Sequence, residues 1–318
     1  MRALWLENQQ LQFRNDLPLP ELEKGEVMIQ PRLSGICSTD LELVKGYYPF
    51  RGILGHEFVG EVIEAPGFPD FEGKRVVGEI NVTCGYCIHC QQGRGSHCVN
   101  RTVLGISGRN GVFADNFTLP AKNLHIVPDS ISDEQAVFTE PLAAALEIEE
   151  QVNISPTDRV LVVGAGRLGQ LVAQTISLND CDLTVVARYP KQRKLLEKRG
   201  IKVVDENNLT SGVMDIVVDT TGSPSGFETA RTAVRSRGTI VMKSTYAGTL
   251  EINASSLVVD EITLIGSRCG PFGPALNLIK DQLVDPVSLV ENSFHITDSI
   301  AAINKAGERG VLKVLLTY

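Results

Sequence analysis

Apolar and polar positions follow two rhythms along the chain, and the change falls near residue 130. Before it, short alternating runs sit between glycines and prolines: "GEVMIQPRLSGIC", "EFVGEVIEA", "KRVVGEI" and "GVFADNFTLP". A repeat of two places successive side chains on opposite faces, so these runs predict antiparallel strands of a barrel-like or sandwich domain. Beyond residue 130 the rhythm becomes strand, turn, helix, repeated. "SISDEQAVF" predicts a helix with Ser132 and Gln135 at capping-box spacing. Pro141 is expected to interrupt it, and "LAAALEIEEQV" to resume it.

"RVLVVGAG" predicts a buried strand running into a glycine turn, "RLGQLVAQTISLND" a helix, and "DLTVVAR" a second strand. "PKQRKLLEKRG" reads as a helix opened by proline and closed by glycine. "IKVV", "MDIVVDTTG", "RGTIVMKS" and "ITLIGS" predict further buried strands, with the helix "PSGFETARTAV" between two of them. Such alternation implies a parallel, doubly wound sheet. The segment after about residue 270 has too few elements to fold alone and is expected to complete the first domain.

The glycine turn carries the first chemistry. Gly164, Gly166 and Gly169 stand as G-x-G-x-x-G, with Arg167 and Leu168 between the last two. The motif follows a strand and opens a helix, the context a dinucleotide fingerprint requires. Gly164 permits the tight turn, Gly166 lets the backbone approach a pyrophosphate, and Gly169 allows close helix–strand packing. An acid about 20 residues further on would favour NAD through the ribose 2′-hydroxyl. Ala187 stands there instead, followed by Arg188, Lys191, Arg193 and Lys194. Guanidinium groups pair with phosphate, so NADP is expected over NAD, with Arg188 and Arg193 as its contacts. Lys191 and Lys194 fit a solvated helix face as well.

Composition and charge narrow the class. The 318 residues suffice for two domains. A net charge of −8 disfavours a phosphate-neutralising surface for nucleic acid. No apolar run approaches the ~20 residues of a membrane span, and "MRALWLENQQ" lacks the apolar core of a signal peptide. A cytoplasmic location is expected.

Of seven cysteines, Cys84, Cys87, Cys90 and Cys98 fall within one short stretch, "TCGYCIHCQQGRGSHC". Clustered cysteines in such a chain read as metal ligands before disulfides. Four thiolates satisfy a tetrahedral zinc and leave no open position, so this site is expected to be structural. An iron–sulfur cluster also takes four thiolates and stays open as an alternative. A second set is dispersed: Cys37 in "GICSTD", His56 and Glu57 in "GHE", and Glu140 in "TEPLAAAL". Each alone has an ordinary reading, as a buried cysteine, a satisfied histidine or a helix-start carboxylate.

Their order changes that reading. Cys37, "GHE", the four-cysteine lobe, "EPL" and "GAGRLG" follow one another in a sequence that resembles the zinc-dependent alcohol dehydrogenases of the medium-chain dehydrogenase/reductase superfamily. The resemblance covers nearly the whole chain. It implies an α/β protein with a GroES-like, mostly-β catalytic domain over 1–142 and 271–318, and a Rossmann domain over 143–270. It further implies two zinc ions per chain: a catalytic one on Cys37, His56 and Glu140, and a structural one on Cys84, Cys87, Cys90 and Cys98. A glutamate rather than a cysteine at position 140 is similar to the polyol, sugar and threonine dehydrogenase branches. By the same resemblance, Glu57 lies behind the ligands and can approach the metal, Asp40 orients His56, and Thr39 takes the proton from bound alcohol. Glu42 stands where many members carry the histidine that passes this proton on, which leaves the exit route open.

A zinc with three protein ligands keeps one position for a substrate oxygen and acts as a Lewis acid, while the nicotinamide exchanges hydride. The expected function is therefore hydride transfer between an alcohol or polyol, or the matching carbonyl compound, and NADP(H). The alternatives are a zinc-free quinone or enoyl reductase-like enzyme and a dehydrogenase-like protein without catalysis. A non-enzymatic zinc module binding nucleic acid is disfavoured by the acidic charge. Tyr47, Tyr48, Phe50 and Arg51 line a substrate pocket or pack beneath their loop; the two readings are even. A homodimer or homotetramer joined through the strand in "EITLIGS" is implied by the resemblance.

Overall fold

The computed structural model describes residues 1–245 and 248–318. The chain forms two compact units, Met1–Glu140 with Phe272–Tyr318, and Pro141–Pro271.

The first unit is built on a seven-stranded sheet. Its order is Leu124–Ile126, Arg75–Gly78, Glu57–Glu64, Glu26–Gly35, Lys313–Thr317 and Val290–His295, with Phe117–Pro120 also paired to Glu26–Gly35. The strand Glu26–Gly35 is central because eight of its ten residues are buried, only Gln30 and Arg32 reaching solvent. Pro31 has no N–H to give the ladder, and the register with Glu57–Glu64 shifts between Pro31 and Leu33. Three of the four predicted runs form strands over most of their length, whereas in "GVFADNFTLP" only Phe117–Pro120 does. The C-terminal strand Lys313–Thr317 runs antiparallel to Glu26–Gly35, so the end of the chain returns to this sheet. Within this seven-stranded sheet one described pairing departs from the antiparallel expectation: Val290–His295 and Lys313–Thr317 are parallel. The helix Ser299–Ala306 between them supplies the crossover that parallel strands need.

The second unit is a six-stranded parallel sheet in the order Lys202–Val204, Asp182–Val186, Arg159–Val163, Met214–Asp219, Val234–Met242, Thr263–Gly266. Its two halves diverge between Arg159–Val163 and Met214–Asp219, the crevice where doubly wound sheets bind ligands. Val160, Leu161, Val217 and Ile240 are fully enclosed, as central strands covered on both faces require. Pro141 does not break the helix as expected. It lies in the first turn of Thr139–Gln151, where a missing N–H costs no hydrogen bond. Among the described residues no helix is long and apolar enough to cross a membrane.

Candidate functional site

Cys37 lies two residues beyond the central strand Glu26–Gly35 and caps the helix Ser38–Val44. Asp40, one turn in, reaches back and accepts the Cys37 N–H at 2.8 Å. This cap fixes the thiol at the mouth of the helix while burying Asp40 completely. Asp40 Oδ1 stands 3.2 Å from Nδ1 of His56, close enough to orient the ring but poorly aligned for a hydrogen bond. Burial alone would lower the His56 pKa; the Asp40 carboxylate and then Cys37 overcome it and hold the pKa well above the usual imidazole value. Thr39 Oγ1 lies 3.7 Å from the Cys37 sulfur.

Donor atoms of Cys37, His56 and Glu57 all lie within 4.8 Å of one another, with His56 and Glu57 buried. Thiol, imidazole and carboxylate are the donor types zinc takes, and a buried His56 Nδ1 without a hydrogen bond is what an orienting carboxylate would serve once a metal fixed the ring. The residues fit a zinc ion. Glu140 does not join the trio; Glu57 stands in it instead. Glu57 is also tied to Lys313, whose side chain is 3% exposed and whose ammonium sits 5.5 Å over the Phe138 ring. Gly35, opposite Glu57 in the register, leaves the room: a Cβ there would meet Glu57 Oε2 at 2.2 Å. Sequence reasoning missed Lys313, because a lone lysine in "GVLKVLLTY" reads as a strand's solvent face. Glu42 points its carboxylate to Lys45 at 2.7 Å, on the same helix as Thr39 and one turn on. In the loop beyond, Tyr47 and Tyr48 pack edge to face at 4.5 Å, and Arg51 pairs with Glu7 over Trp5.

The four-cysteine lobe closes on itself. Sulfur separations are 3.5 Å for Cys87–Cys90 and Cys84–Cys98, and 4.0 Å for Cys84–Cys90. A tetrahedron of ~2.3 Å zinc–sulfur bonds has edges of about 3.8 Å, so these thiols also fit one ion. Backbone N–H groups of Cys90 and Val99 lower the Cys87 thiol to about 6, while burial and then Cys87 push Cys90 up to about 11. Thiols this close hold their protons unequally, a conflict that a shared cation removes.

In the second unit the glycine turn behaves as its spacing implies. Gly164 has φ +97°, and a Cβ on Gly169 would strike the Gly164 carbonyl at 2.2 Å. A Cβ on Gly166 would meet nothing within 4 Å, so its backbone faces open space at the N-terminus of Arg167–Ile176. Leu168 and Arg167 belong to that first helical turn. The cavity there, about 200 Å³, is lined by Gly164, Gly166, Arg188, Glu206, Thr220 and Thr229, among others. Buried Gln170 bonds the Ala165 and Gln192 carbonyls and locks the turn to the next helix, a role sequence reasoning did not assign. Arg188 lines the cavity and is engaged by Glu206 at 3.1 Å, whereas Arg193 is not among the lining residues and pairs with Asp205 at 2.9 Å.

Residues 23–129 match the model of the alcohol dehydrogenase GroES-like domain, and residues 168–281 match that of the zinc-binding dehydrogenases. An L-threonine 3-dehydrogenase of Pectobacterium carotovorum is 33% identical over 71% of each chain. A sorbitol dehydrogenase of Halalkalibacterium halodurans is 28% identical over 94% of each. A solved zinc-binding dehydrogenase from Sinorhizobium meliloti, bound to NADP, is 26% identical, covers 100% of this chain and 99% of its own, and superposes with a TM-score of 0.91. The chain therefore belongs to the zinc-dependent dehydrogenases of the medium-chain dehydrogenase/reductase superfamily. Within that superfamily it is an oxidoreductase of the polyol and threonine dehydrogenase-like type, with a GroES-like and a Rossmann domain.

Proposed function

We propose that the protein transfers hydride between an alcohol or polyol, or the corresponding carbonyl compound, and NADP(H), in the cytoplasm and as a homodimer or homotetramer. The gathering of Cys37, His56 and the Glu57 carboxylate within 4.8 Å of one another, with Asp40 behind His56, carries this reading. A bound zinc would supply Lewis acidity toward a hydroxyl or carbonyl oxygen. Cys37 and His56 would hold it, with Asp40 orienting the imidazole. Thr39, beside the Cys37 sulfur, takes the substrate proton, and Glu42 on the same helix leads it to solvent. Cys84, Cys87, Cys90 and Cys98 would hold a second zinc in their lobe. In the nucleotide cavity the bare Gly166 backbone and the helix behind it receive the pyrophosphate.

The third ligand is the point of choice. Glu57 stands in the trio, yet its carboxylate is engaged by Lys313, which favours Glu140 as the ligand and Glu57 as its reserve. Glu140→Gln is expected to lose one of two zinc ions per chain, whereas Glu57→Gln keeps both; the reverse result assigns the ligand to Glu57. A panel of alcohols, polyols and aldehydes with NADP(H) and NAD(H), on zinc-loaded protein, tests the reaction. Turnover with NADP(H) that vanishes in Cys37→Ser is expected. Full activity of that variant without zinc overturns the mechanism, and equal or better turnover with NAD(H) overturns the cofactor preference.

A further inference from the structure

The acid absent from the end of Asp182–Val186 arrives from the strand next to it. Asp182–Val186 and Lys202–Val204 are parallel, with Val186 opposite Val204, so residues 187–188 run beside residues 205–206. Glu206 thereby reaches the cavity lined by Gly164, Gly166 and Arg188, although it is 18 residues beyond Arg188 in sequence. Its carboxylate is held at both oxygens: Thr229 of the helix Pro224–Ala233 donates to Oε1, and Arg188 Nη2 donates to Oε2 at 3.1 Å. The Thr229 hydroxyl and then Arg188 keep its pKa below the ordinary carboxylate range, so it is charged near neutral pH.

We propose that Glu206 sets the choice between the two dinucleotides, by occupying Arg188 and by placing a negative charge where a 2′-phosphate would lie. A 2′-hydroxyl can donate to such a carboxylate. A 2′-phosphate is repelled by it, and must also draw Arg188 out of an existing pair. Arg193 is restrained in the same way by Asp205, but that acid is 62% exposed and its charge is better screened. The side chains of Arg188 and Glu206 are 67% and 38% exposed, so the restraint amounts to a severalfold bias. The inference rests on the dehydrogenase reading above and makes the NADP preference a restrained one.

Dissociation constants for NADPH and NADH, measured by nucleotide fluorescence on the zinc-loaded full chain, test it without turnover. Glu206→Gln keeps an acceptor for Thr229 and removes the charge. It is expected to tighten NADPH about fivefold relative to NADH, the upper range for an exposed ion pair. Arg188→Ala is expected to weaken NADPH while sparing NADH. An unchanged ratio of the two constants in Glu206→Gln overturns the proposal while leaving the dehydrogenase reading intact. Failure of the native protein to bind either nucleotide defeats that reading, and the proposal with it.

Discussion

Lys313 shows how one side chain conditions the whole metal pocket. It enters from the C-terminal strand, 256 residues from Glu57, and meets that carboxylate where almost no water reaches either group. Replacing one member of a buried pair strands the other's charge, which costs about 3–5 kcal/mol. Lys313→Met is therefore expected to lower the unfolding free energy by about that amount, read by urea denaturation. Lys313→Met with Glu57→Gln should recover a large part of it, since no isolated charge then remains. If the single and double variants are equally unstable, the pairing carries little and packing explains the loss. That Cys37, His56, Glu57 and Asp40 come together was legible in the sequence because their motifs come in a recognisable order. Lys313 was not, because burial of a lysine depends on a partner that only the folded sheet supplies.

Among the elements, the short helix Asp133–Ala136 illustrates a signal that sequence carries in full and a role it does not. Ser132 Oγ accepts the Gln135 N–H at 3.3 Å and Gln135 Oε1 accepts the Ser132 N–H at 2.9 Å, the reciprocal box its spacing predicts. The first helical residue then does more than complement the helix. Asp133 receives Arg32 at 2.7 Å from the central strand and Arg75 at 2.8 Å from a second strand, pinning the helix to the sheet. Burial pushes its pKa up, but hydrogen bonds from Arg75 and Arg32 outweigh this and leave the pKa below the ordinary carboxylate value. A depressed folded pKa stabilises above the unfolded value, near 3.9, and that stability is lost as pH falls through the lower folded one. Asp133→Asn should therefore lower the melting temperature near neutral pH, by the few degrees that about 1 kcal/mol represents. The gap to the native protein should close in strong acid. A gap that stays constant with pH would assign the loss to helix capping instead of charge. Arg32 and Arg75 lie 101 and 58 residues from Asp133, beyond the reach of any local pattern.

At the scale of the molecule, period two and the strand–helix alternation made the two larger sheets legible, including the turn at Gly164. The missing pieces are those whose pattern is decided by neighbours: the parallel pair Val290–His295 and Lys313–Thr317, and the acid at Glu206 brought beside Arg188 by an adjacent strand. The remaining whole-molecule question is what covers the sheet edge Thr263–Gly266. An exposed edge strand offers unpaired backbone groups, and charged side chains commonly protect it. Lys202 stands on the opposite edge strand, Lys202–Val204, whereas Thr263–Gly266 carries no charge. Leu264 is 39% exposed there, and Val258 and Val259 on the preceding helix Ala254–Val259 are 76% and 80% exposed. A second copy laid against this edge would continue the sheet and remove those side chains from water, with burial worth roughly 25 cal/mol per Å² of apolar surface. Light scattering after size exclusion should then give two or four times the 34.5 kDa of one chain. Val258→Lys and Val259→Lys together with Leu264→Lys should move the mass toward a single chain while leaving the far-ultraviolet circular dichroism unchanged. A native protein that runs at one chain's mass would show that this edge is left open, and a multimer indifferent to the three lysines would place its interface elsewhere.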